Sequence, residues 1–98
     1  AEKSLHIGWT KQDSGAVNVT CYAEGVYPEP KMELYSDSKN RESLKDIVVQ
    51  VTKSHEYFDI SATKILDSAD VQTPTIFDCE LKIPEAKYAV KKSVVYYA

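Results

Sequence analysis

The residues of this chain that could do chemistry are few. There are two cysteines, Cys21 and Cys79, 58 positions apart. No Cys-x-x-Cys spacing exists, so a redox dithiol or a zinc knuckle is excluded. What remains is two buried free thiols or one disulfide. His6 and His55 stand alone, with no cysteine or carboxylate at ligand spacing, and read as structural histidines. Asp67, Asp70 and Asp78 lie near one another, but without the D-x-D-x-D-G order of a calcium loop they read as solvated acids. A strained serine elbow of the form G-x-S-x-G is missing, and three scattered glycines build no phosphate cradle. No metal, cofactor or catalytic centre is therefore expected, and the chain reads as a non-enzyme. The one strong motif is Asn18-Val19-Thr20, an Asn-x-Thr acceptor for N-linked glycan, a triplet that also arises by chance.

The elements that must position these residues are short and alternating. In Ala16–Glu24, Val17, Val19, Cys21 and Ala23 share one side, while Asn18, Thr20, Tyr22 and Glu24 share the other. In 76–83, Phe77, Cys79, Leu81 and Ile83 alternate with Ile76, Asp78, Glu80 and Lys82. Side chains alternate sides along a strand, so both cysteines fall on an apolar face. Two strands that both bury a cysteine can join them across a core, and the disulfide is the reading adopted. Closing a loop of that length stabilises the fold by roughly 4 kcal/mol through the entropy of the unfolded chain. The same alternation puts Asn18 and Thr20 outward, where a glycan would be solvated.

Five further segments complete the pattern: 3–10, 31–35, 44–52, 57–66 and 87–97. A Gln12-Asp13-Ser14-Gly15 turn follows the first, Pro28 and Pro30 end the second strand, and the polar run 36–43 is a loop. Seven strands with turn signals every ten or so residues predict an all-β sandwich. Ninety-eight residues suit one domain, 1–98, with no repeat or linker. A net charge of −3 without any basic stripe argues against nucleic acid, and no apolar run is long enough to insert in a membrane. The start, Ala-Glu-Lys, is no signal peptide, which suits a mature product or a module excised from a longer precursor.

The run from Cys21 to Pro30, Cys-Tyr-Ala-Glu-Gly-Val-Tyr-Pro-Glu-Pro, resembles the start of a constant-type immunoglobulin domain. Its Gly-x-Tyr-Pro-Glu-Pro wording is similar to the membrane-proximal domains of butyrophilin-like ligands, and its Cys-Tyr-x-x-Gly-x-x-Pro start to β2-microglobulin. The resemblance implies a seven-stranded sandwich with one inter-sheet disulfide, an extracellular setting and a cis peptide before Pro28. It also marks two departures: Leu34 stands where the family has a core tryptophan, and Phe77 where it has a tyrosine whose hydroxyl braces a corner.

Such domains often recognise partners through the sheet of the third, sixth and seventh strands. On that sheet, alternation turns Tyr35 and Tyr97 outward among Lys31, Glu33, Asp78, Glu80, Lys82 and Lys91, a charged field with aromatic anchors suited to a protein partner. The expected function is an extracellular recognition or adhesion module, at the cell surface or secreted, read as the membrane-proximal domain of a cell-surface receptor or ligand that acts through protein–protein binding. The alternatives are a free-standing subunit that stabilises a larger chain and a passive spacer.

Overall fold

The computed structural model describes residues 4–37 and 43–97. Seven strands run through them: β1 (Ser4–Lys11), β2 (Val17–Val26), β3 (Lys31–Ser36), β4 (Val48–Ser54), β5 (Tyr57–Leu66), β6 (Thr75–Ile83) and β7 (Tyr88–Tyr96). They form two antiparallel sheets, ordered β1-β2-β5-β4 and β3-β6-β7. The beginning of the expected first strand at Lys3 and most of the expected loop, 38–42, lie outside the described residues.

Alternation explains why the sheets face each other. Val17, Val19, Cys21 and Ala23 of β2 meet Phe77, Cys79, Leu81 and Ile83 of β6, all nearly solvent-free. The Cys21–Cys79 disulfide joins the sheets through this core. Leu34 is the direct cross-strand partner of Cys79 and packs at full burial where the family carries its tryptophan. The large aromatic volume sits instead toward the last strand. Tyr96, 1% exposed, receives Trp9 edge-on at 4.7 Å and lies 6.4 Å from Phe77.

The edge strands β1 and β7 belong to different sheets, yet side chains stitch them together. Trp9 Nε1 donates to the Val95 carbonyl at 2.9 Å, and Lys92 Nζ donates to the Leu5 carbonyl at 2.9 Å. Both bonds occupy backbone acceptors along a seam that would otherwise offer free edges.

Three turns show how local chemistry sets the path. Gln12 N–H donates to the Ala16 carbonyl and Gly15 N–H to that of Gln12, with Gly15 at φ 94, so the expected first hairpin turn needs its glycine. At the end of β2 the register shifts at a bulge where Gly25, φ 67, gives its N–H to the Asp59 carboxylate at 3.1 Å. The chain then passes through the Tyr27–Pro28 peptide, which is cis. A second cis peptide, Thr73–Pro74, precedes β6.

The fourth strand starts at Val48, not at Leu44. Leu44 N–H bonds the Leu34 carbonyl and Ser43 bridges Tyr35, so residues 43–44 stay beside β3. Asp46, at φ 57, then turns the chain toward the other sheet. Leu44 and Ile47 still pack on the core, but every residue of β4 is exposed, because it overhangs the narrower three-stranded sheet.

The corner brace that Phe77 cannot supply has a local substitute. Fully buried Thr75 donates its hydroxyl to the Gln72 carbonyl, three residues upstream. Thr75→Val keeps the shape and leaves that acceptor without its donor, so a loss of about 1 kcal/mol is expected in urea unfolding. Thr75→Ser, which keeps the hydroxyl, should recover most of it; equal losses in the two variants would show that the methyl, not the bond, matters.

Candidate functional site on the three-stranded sheet

The outer face of the β3-β6-β7 sheet is laid out in cross-strand rows. Lys31, Lys82 and Ala89 form one, Glu33, Glu80 and Lys91 the next, Tyr35, Asp78 and Ser93 the third. The second row sets two glutamates directly opposite each other, an arrangement that repels unless something intervenes. Two groups intervene. Lys82 Nζ lies 3.5 Å from an oxygen of each carboxylate. The Tyr35 hydroxyl reaches both as well, at 2.6 Å from Glu33 and 3.0 Å from Glu80. A phenol has one proton to donate, and the shorter contact marks Glu33 as its principal acceptor. Lys91 Nζ stands 5.2 Å from the centre of the Tyr35 ring, within cation–π range. Asp78 accepts from the Ser93 hydroxyl, and Asp37 accepts the Ile76 N–H at 3.1 Å.

The network shifts two titrations. Hydrogen bonding to Glu33 is the first cause that pushes the Tyr35 phenol well above its ordinary range, followed by burial and the Glu80 bond. The Tyr35 hydrogen bond also holds the Glu33 carboxyl below its ordinary value, with help from Lys82 against the opposing effect of burial. A depressed folded value stabilises the protein above the ordinary carboxylate range, and that contribution fades as pH falls through the folded value. Glu33 is partly exposed, so the effect on stability is small. Tyr35→Phe should raise the Glu33 titration midpoint toward the ordinary range in a carbonyl-detected NMR titration. An unmoved midpoint would mean that Lys82 sets it alone.

Five of the eight residues expected on this face thus form one cluster of contacts: Glu33, Tyr35, Glu80, Lys82 and Lys91. Asp78 bonds Ser93 in the next row, and Lys31 stands opposite Lys82. Tyr97 stands apart. It lies four residues beyond Ser93, the residue level with Tyr35, or about 13 Å along the strand. The gap is filled by the cross-strand pair Ile76 and Val95, 41% and 37% exposed, leading to Tyr97 at 64%. The face therefore has a polar half, already hydrogen-bonded, and an apolar half. Sequence reasoning passed over Ile76 and Val95, although an isoleucine at an outward position of an alternating strand was itself a signal.

The remaining singled-out residues are dispersed. Asn18 sits on the outer face of the other sheet, where the Thr20 hydroxyl donates to its side-chain oxygen at 3.2 Å. His6 is exposed opposite Tyr22, and His55 occupies the β4–β5 turn. Asp67 caps the short 3-10 turn Ser68–Asp70 by accepting the Ala69 N–H at 3.0 Å. An open depression of about 400 Å3, lined by Tyr27, Lys53, His55, Glu56 and Tyr57, was not foreseen. Among the described residues, no three His, Cys, Asp or Glu side chains converge as a metal would require.

Two sheets in this strand order, closed by a disulfide between β2 and β6, are the architecture of a constant-type immunoglobulin-like domain. Known structures agree. A structure of bovine butyrophilin matches 100% of this chain at a TM-score of 0.83 and 20% identity, and the chain spans 44% of the chain solved there. The C1 domain of the IgNAR antibody matches 95% of this chain at a TM-score of 0.74 and 13% identity, over 89% of its own length. At such identities the likeness is one of fold. No family model matches the sequence, and no curated protein does.

Proposed function

We propose that this chain, 1–98, is a single non-catalytic extracellular domain that recognises another protein through the outer face of its three-stranded sheet. The observation that carries the reading is the pairing of a pre-ordered polar cluster around Tyr35 with the exposed apolar strip Ile76, Val95 and Tyr97. An apolar, aromatic-bearing patch beside a polar margin is the anatomy of a protein interface. Holding Tyr35 by two carboxylates and a lysine lowers the entropy lost when a partner docks on it. The disulfide supports an oxidising, extracellular setting. The acceptor triplet at Asn18 supports N-glycosylation on the opposite face, which leaves this one open. The Gly-x-Tyr-Pro-Glu-Pro wording, similar to that of membrane-proximal domains of butyrophilin-like ligands, is the ground for reading the chain as such a module of a cell-surface protein.

The test is binding of the secreted domain, tetramerised to reveal weak contacts, to a panel of cell types. Saturable binding to some of them, competed by untagged domain, is the expected result. A folded, disulfide-bonded tetramer that binds none would favour a spacer.

A further inference from the structure

The outer face of the four-stranded sheet carries an apolar pair that the chain leaves in solvent: Ile65, 57% exposed, and Val48, 59%. Val48 is paired with Thr63, and Ile65 lies two residues along β5 on the same side, so the two are diagonal neighbours. Adjacent β-branched aliphatics on an exposed sheet face call for a cover.

The register supplies one. Ile65 is the direct cross-strand partner of Asn18, which places their Cβ atoms about 5 Å apart. The ground around the acceptor is low. Thr20 and Thr63 lie in the next row, and Gly8, beyond Thr20 on β1, has nothing within 4 Å of where a Cβ would stand. The carboxylates of this face, Glu24 and Asp59, lie toward its far end.

We propose that the glycan on Asn18 folds back onto this sheet, its first N-acetylglucosamine units covering Ile65 and Val48 instead of projecting into solvent. The proposal rests on the reading that Asn18 is glycosylated. A pyranose ring offers an apolar C–H face to the aliphatic pair and hydroxyl edges to Thr20 and Thr63. Covalent attachment makes the contact intramolecular, so a weak interaction suffices to populate it. The cover also closes the four-stranded sheet to a second copy of the chain.

Two measurements on the domain secreted from mammalian cells test this. Intact mass before and after enzymatic deglycosylation, with Asn18→Gln as control, reads occupancy alone. NMR of the occupied, methyl-labelled protein then reads geometry. Cross-relaxation from protons of the first sugar to the Ile65 and Val48 methyls is expected. In Asn18→Gln, binding of a hydrophobic-probe dye should rise several-fold and fall back when Ile65→Ser and Val48→Ser are added. An occupied Asn18 with no cross-relaxation and no change in dye binding would overturn the proposal, as would a glycosylated dimer whose contact runs through Ile65. An unmodified Asn18 would overturn it at its premise, and the mass measurement tells that failure from the others.

Discussion

Replacing both cysteines, Cys21→Ala with Cys79→Ala, is expected to lower the unfolding free energy by about 4 kcal/mol. The bond closes a loop of 58 positions, and the unfolded chain without it regains the conformations which that closure forbids. Domains of this size have about 5–15 kcal/mol of stability in all, so the variant sits near the threshold of folding. Its melting temperature should drop by roughly 20 °C. Urea unfolding at 25 °C is the measurement, and replacing both partners avoids leaving a lone thiol in the core. A loss under about 1 kcal/mol would mean that the unfolded chain is already compact enough for the cross-link to add little.

The second large effect separates two adjacent identical residues. Tyr96→Ala should cost about 4 kcal/mol, whereas Tyr97→Ala should stay within about 0.5 kcal/mol. Tyr96 is 1% exposed and carries the Trp9 ring edge-on, with Phe77 beside it, so its removal opens a cavity at the β1–β7 seam. Tyr97 points the other way and is 64% exposed. A one-residue slip of β7 would exchange the two outcomes, which makes the pair a direct check of register. Chemical denaturation of both variants settles it.

The contrast also shows what could be read in advance. Alternation in β2 and β6 was legible because their inward positions are apolar apart from Thr75 at the start of β6, and it placed both cysteines and the Asn18 acceptor on their sides. The same alternation, with Val90 and Val94 inward, puts Tyr96 in the core, yet nothing in a single strand tells how much volume awaits there. That volume depends on Trp9, 87 residues away, and on Phe77 of the neighbouring strand. The start of β4 was misplaced because Leu44 and Ile47 look like strand residues. They do pack on the core, but from a crossing segment turned by the left-handed Asp46.

The site was legible in membership and not in arrangement. Outward positions on β3, β6 and β7 follow from periodicity, so Glu33, Tyr35, Glu80, Lys82 and Lys91 were all named. That Glu33 faces Glu80, and that one phenol and one lysine reconcile them, depends on the register between strands 47 residues apart, which no local pattern encodes. Nor does a local pattern show that Ile76 and Val95 meet across strands and extend the face toward Tyr97.

The claim that the three-stranded sheet is the recognition face is tested most directly by comparing two surface variants of the tetramerised domain on a cell type it binds. One carries Tyr97→Ala with Val95→Ser; the other carries His6→Ala with Gln50→Ala on the opposite sheet. Both change exposed side chains, so both should fold. The account predicts that the first loses at least about tenfold in monomer affinity, as removal of a central contact does, and that the second binds like the parent. Undiminished binding by the first variant, or loss confined to the second, would contradict it.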